Sequence, residues 1–137
     1  VANDAGFSNR ERFRCAGATV VPVHGEIDLA TADHLRDRLL RTAPRRVHDC
    51  LVVDMSGLDF FDASGVRSLI AVHHELTLQG RHLALAEPAP VAARVLQALE
   101  LGNLFEIYPV VQMARAHADG RPVHHASEAD RTVPDTP

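Results

Sequence analysis

Residues Leu51-Val52-Val53-Asp54-Met55 form a short, nearly continuous apolar run rich in β-branched side chains. A strand with one wet face alternates apolar and polar residues, whereas a run that is apolar on both parities needs cover on both faces, as an interior strand of an α/β sheet has. Past Asp62 the period changes: Val66, Leu69, Ile70, His73 and Leu76 recur at helical spacing. A buried strand handing over to an amphipathic helix is half of a crossover unit, and it sets the fold class as α/β. The loop between them, Asp59-Phe60-Phe61-Asp62-Ala63-Ser64-Gly65, falls at the carboxyl end of a central strand and the positive amino end of a helix. Open α/β sheets place functional groups there, and this loop sets a hydroxyl between a carboxylate and a glycine. Of the two phenylalanines, one is expected in the core and the other in an exposed patch.

The remaining elements follow from the same signals. Arg12 to Ala16 and Ala18 to His24, separated by Gly17, are predicted as the strands of an N-terminal β-hairpin, with Pro22 at an edge or bulge because it has no ladder donor. Gly25-Glu26-Ile27-Asp28 turns the chain into a helix over Leu29 to Arg41 with the buried stripe Ala32, Leu35 and Leu39. Asp28 or Thr31 caps that helix, and Pro44 stops it. The Leu51 to Met55 strand and a helix over Ala63 to Gln79 come next, with Gly80 as terminator. Leu83 to Ala86 reads as a second buried strand. Pro88 and Pro90 introduce a helix with the stripe Ala92, Val95, Leu96 and Leu99, ended by Gly102. Phe105 to Tyr108 is predicted as a last strand and Val110 to His117 as a last helix. The expected architecture is a mixed central β-sheet of four to five strands with about four α-helices over residues 12–117. Residues 1–11 are expected to be a flexible leader and 118–137 a disordered tail.

Composition narrows the function. With 46% hydrophobic but only 4% aromatic residues and no Trp, the core is aliphatic and offers no stacking platform for bases. A formal net charge of -4 argues against nucleic acid or an anionic membrane surface as the main partner. No apolar run is long enough to cross a bilayer, so membrane insertion is not expected and the cytoplasm is the expected location. Cys15 and Cys50 lie far apart without metal-type spacing and are expected to be reduced thiols packed in strands. His73-His74 point apart on a helix and His124-His125 fall in the tail, so neither pair has metal-ligand spacing, and no metal or cofactor is expected. Ser64 lacks the glycine two residues earlier that a hydrolase elbow uses. No glycine-rich phosphate loop is present, so the chain does not read as a kinase itself.

In order along the chain, Gly25-Glu26-Ile27-Asp28, the strand Leu51 to Met55, Asp62-Ala63-Ser64-Gly65, Gly80, the strand Leu83 to Ala86 and Leu101-Gly102-Asn103-Leu104-Phe105 resemble the STAS family, and within it the bacterial anti-sigma factor antagonists. The resemblance spans roughly Arg12 to His117, and the ordered set is far more specific than any one short motif. It implies a STAS-like fold and a protein that binds an anti-sigma factor, itself a serine kinase of the histidine-kinase-like ATPase fold, and so frees a sigma factor for transcription. It further implies that phosphorylation of the loop serine turns binding off and that a serine phosphatase restores it. Ser64 matches the acceptor, Asp62 the acid opening the loop and Asp28 the acid of the neighbouring turn. Asp28, Asp62, Ala63, Ser64, Gly65 and Arg67 are the expected partner-binding residues. Two positions depart from the pattern: Ala63 stands where many relatives carry a second Ser, and Arg67 where they often carry a small residue. The same resemblance also admits a structural subunit of a larger assembly, such as a stressosome-like scaffold or the cytoplasmic component of a lipid or anion transporter.

Overall fold

The computed structural model describes residues 17–43 and 49–118. Strand β1 (Gly17–Ile27) leads to helix α1 (Ala32–Thr42), strand β2 (Asp49–Phe61) to α2 (Ala63–Leu78), β3 (His82–Ala86) to α3 (Pro90–Ala98), and β4 (Glu106–Tyr108) to α4 (Val111–Ala118), with a 3-10 turn over Leu101–Asn103 before β4. The four strands pair in the order β1-β2-β3-β4, every pair parallel. The first strand of the expected hairpin, Arg12 to Ala16, lies outside the described residues, as do Pro44, the expected leader and the expected tail apart from Ala118, which ends α4. Among the described residues the sheet is therefore wholly parallel, and the mixed pattern would have to come from that hairpin strand.

The apolar run behaves as its pattern requires. Leu51, Val53 and Met55 face a core that also holds Leu35 and Leu39 of α1, Val66, Leu69, Val72 and Leu76 of α2, and Ala92 and Leu96 of α3. Cys50 and Val52 face the opposite side, where Ala84 and Ala86 of β3 and Ala114 of α4 close over them. Burying each Leu or Val of this kind stabilises the fold by about 1.5 to 3 kcal/mol relative to exposure. Cys50 is disulfide-bonded, which corrects the expected reduced thiol.

Both β1 and β2 run further than their apolar segments. Gly25-Glu26-Ile27 remains in β1, and the turn begins only at Asp28. β2 continues through Ser56 and Gly57 to Phe61, with register shifts after Pro22 and after Gly25 that each insert one extra residue on the β2 side. Such bulges twist and bend a strand. Gly57 fits this bend because a Cβ there would come within 2.9 Å of His24 Nδ1 and 3.2 Å of the Val23 carbonyl.

The helix ends show both agreement and correction. Gly80, at φ 73°, closes α2: its N–H donates to the Thr77 carbonyl at 3.0 Å and Arg81 N–H to Leu76 at 2.8 Å, a Schellman end. Gly102, expected to end α3, sits inside the 3-10 turn. Glu100 makes the reversal in the left-handed region at φ 54°, and Leu99 stands exposed beyond the last turn of α3. Likewise α1 starts at Ala32 and not at Leu29, because Asp28 and Thr31 lock the intervening residues into a turn.

Candidate functional site

Two loops meet at the carboxyl edge of β1 and β2. Ile27 and Phe61 are register partners and the last residues of their strands, so Asp28 and Asp62 leave the sheet from neighbouring strands spaced about 4.8 Å apart. In the first loop, Asp28 Oδ1 accepts from the N–H groups of Ala30 and Thr31 at 3.0 and 3.2 Å. Thr31 Oγ1 in turn accepts from Asp28 N–H at 2.9 Å and donates to the Glu26 carbonyl at 2.9 Å. These bonds hold the turn rigid and leave Leu29 at its tip with 78% of its surface exposed.

In the second loop, Asp62 is extended and caps α2. Its Oδ1 accepts from Ser64 N–H at 2.9 Å, and its carbonyl accepts from Gly65 and Val66 N–H at 3.0 and 3.2 Å. Ser64 is half-buried in the first helical turn, and among the described residues its hydroxyl has no hydrogen-bond partner. The backbone of the serine is therefore fixed while its oxygen is left available. Ala63 beside it is exposed.

Gly65 is buried, and its part in the site is to let the helix sit down on the strand ends. A Cβ at this position would overlap the Phe61 ring and come 2.9 Å from Ile27 Cγ2. Phe61 is in the core and Phe60 is exposed, as the sequence required of one and the other. Arg67 lies one turn after Ser64 on the outside of α2, and among the described residues it makes neither a hydrogen bond nor an ion pair.

Ser68 is a residue that the sequence reading passed over. It is buried, and its Oγ donates to the Ala32 carbonyl at 2.6 Å, tying α2 to the first residue of α1 and so fixing one loop against the other. Its position three residues after Gly65 and four before Val72, within the buried stripe, was the available signal. Taken together, Asp28, Asp62, Ala63, Ser64 and Arg67 share one edge, with Leu29 and Phe60 adding apolar surface. The segments over residues 26–31 and 59–67, from the last residues of β1 and β2 into the turn and helix that follow, carry four carboxylates, Glu26, Asp28, Asp59 and Asp62, against one cation, Arg67.

Elsewhere in the fold, His73, His82 and Glu106 are drawn together. His73 packs its ring edge-on against Phe105, centroids 5.3 Å apart at 71°, and its Nδ1 is buried without a partner among the described residues. Burial first, then the neighbouring His82 and His74, hold its pKa below the ordinary 6.5. His82 Nε2 lies 3.2 Å from Glu106 Oε1, which also accepts from Tyr108 OH at 2.8 Å. Among the described residues no group of three or more His, Cys, Asp or Glu is placed to hold a metal ion, and no helix is long and apolar enough to cross a membrane.

The parallel sheet, the helix-start loop and the ordered motifs define a STAS domain, and the profile of that domain matches residues 11–114. The chain belongs to the STAS domain family. It is 27% identical over 94 residues to the anti-sigma F factor antagonist of Paenibacillus polymyxa, covering 69% of this chain and 78% of that protein. It is 25% identical over 112 residues to a probable sulfate transporter 3.4 of Arabidopsis thaliana, covering 70% of this chain but 17% of the transporter. The solved structure of the anti-sigma factor antagonist SpoIIAA in its unphosphorylated form superposes with a TM-score of 0.53 at 19% identity, covering 86% of this chain and 91% of that one. At that identity the superposition speaks for the fold.

Proposed function

We propose that this chain is an anti-sigma factor antagonist, a binding module without catalytic activity of its own that sequesters an anti-sigma factor serine kinase and so frees a sigma factor. The contact surface is the Asp28 turn, the Asp62 to Gly65 loop and the outer face of α2. The observation that carries the reading is the Ser64 hydroxyl, unpartnered in the first turn of a helix whose start is pinned by Asp62. The likeness to a named antagonist over most of that protein's length supports it.

The switch is electrostatic. The kinase transfers the γ-phosphoryl group of ATP to Ser64 Oγ, releasing ADP and the hydroxyl proton. The product adds about -1.5 to -2 charges at neutral pH. A unit charge about 6 Å from a carboxylate costs on the order of 3 kcal/mol at an effective dielectric near 20, before screening by salt. Asp28 and Asp62 are both at this edge, and both are partly solvated, so the penalty is smaller than that figure. Charge and bulk at the contact surface weaken binding while the fold persists, and a serine phosphatase restores it.

Incubation of the chain with the anti-sigma kinases of its host and ATP tests this reading, followed by intact-mass and peptide mapping. One phosphate on Ser64, absent in Ser64→Ala, is the expected result. No phosphate with any kinase contradicts it. The sulfate transporter match favours a second reading, a STAS subunit of a larger assembly. That reading predicts a constant complex indifferent to ATP and unchanged by Ser64→Ala.

A further inference from the structure

We infer that Arg67 is a phosphate clamp: once Ser64 carries a phosphoryl group, the Arg67 guanidinium folds back over the first turn of α2 and pairs with it. This inference rests on Ser64 being the modified residue. A phosphate at a helix start ordinarily finds free backbone N–H groups. Here Ser64 N–H is already held by the Asp62 carboxylate, and the N–H groups of Gly65 and Val66 are held by the Asp62 carbonyl. The phosphate thus meets a cap that is occupied and of its own sign, in two chain segments that together carry four carboxylates.

Arg67 is the one Arg or Lys in those two segments. It is exposed and has no hydrogen bond or ion pair among the described residues, so no existing contact has to break before it moves. Side chains in an α-helix lean toward the amino end, so a residue three positions on covers the turn in which Ser64 sits. A guanidinium offers a planar fork that matches phosphate oxygens, and such charge-assisted pairs are roughly twice as strong as neutral ones. The clamp offsets the repulsion from Asp28 and Asp62 and stabilises the phosphorylated state. It also withdraws Arg67 from the contact surface, so one modification changes two features that a partner reads.

The test uses the full chain with phosphoserine installed at position 64 during synthesis, so it needs no kinase. Phosphorus NMR follows the second ionisation of the phosphate against pH, and nitrogen NMR follows the Arg67 Nε–H. Loss of a cation about 5 Å from the phosphate moves that ionisation up by at least about half a pH unit, the value at the dielectric of bulk water, and by more where the pair is partly desolvated. The clamp predicts such an upward move in Arg67→Ala, a smaller one in Arg67→Lys, and a shift of the Arg67 Nε–H resonance on phosphorylation. Identical titration curves in wild type and Arg67→Ala, or an Nε–H resonance indifferent to the phosphate, overturn it. If kinases leave Ser64 unmodified while the installed phosphate still titrates with Arg67, the proposed function fails and the clamp geometry stands. If kinases modify Ser64 but Arg67→Ala titrates as wild type, the reverse holds.

Discussion

Gly65 shows how much one residue constrains this site. The helix begins directly on the ends of two strands because nothing projects from Gly65 toward Phe61 and Ile27, both of which belong to the core. In Gly65→Ala the added methyl meets a packed ring and a branched side chain, and overpacking of this kind destabilises by about 1 to 3 kcal/mol. A lowered urea midpoint with unchanged m-value is the expected outcome, and an unchanged midpoint would refute it. Ser64→Ala, by contrast, removes an unpartnered hydroxyl and leaves the midpoint within about 0.5 kcal/mol of wild type. At this scale the sequence disclosed the helix cap and the hydroxyl beside it better than the packing. Asp62 and Ser64 are legible because a short acid before a helix and a hydroxyl in its first turn are local signals. The work of Gly65 and Ser68 is not local, since their partners Ile27 and Ala32 come from the preceding crossover unit.

At the scale of elements, α2 is the platform on which the site depends, and its start rests on the Asp62 cap. Asp62→Ala removes the carboxylate that holds Ser64 N–H and costs about 0.5 to 2 kcal/mol. Amide hydrogen exchange reads this directly: Ser64 loses protection in the variant while the Leu76 end of α2, closed independently around Gly80, keeps its own. Equal protection at Ser64 in both proteins would contradict the capping role. Periodicity gave the type and order of the described elements, because each buried stripe is carried within one segment of chain. Boundaries were harder where tertiary pairing overrides local preference. Ser56-Gly57 reads as loop yet continues β2 because β1 pairs alongside it through two bulges. Glu100 takes the left-handed turn that the nearby Gly102 was expected to supply.

For the whole molecule, the sheet places chemistry at one end and structure elsewhere. Cys50 with its disulfide, His82 and Glu106 lie at or next to the first residues of their strands, at the end opposite the Asp28 and Asp62 loops. The His82 and Glu106 contact was not legible, since the pairing of β3 with β4 and not sequence spacing assembles it. His73 adds a pH dependence to global stability. Its folded-state pKa lies below 6.5, so the unfolded chain takes up its proton first as pH falls. The contribution of His73 is present in full above pH 6.5 and is lost as pH falls from there toward the lowered folded value. His73→Gln flattens this part of the profile in thermal melts taken between pH 7.5 and 5, and a wild-type slope in that variant would assign the dependence elsewhere.

The most direct measurement is the affinity of the full chain for the anti-sigma factor kinase proposed as its partner, with Ser64 unmodified and with Ser64 stoichiometrically phosphorylated, taken together with the thermal midpoint and circular dichroism of both forms. An interface switch predicts that affinity falls by more than about tenfold, a change of at least roughly 1.4 kcal/mol, while fold and midpoint stay the same. Equal affinity of the two forms, or a loss of binding that accompanies a loss of structure, would contradict it.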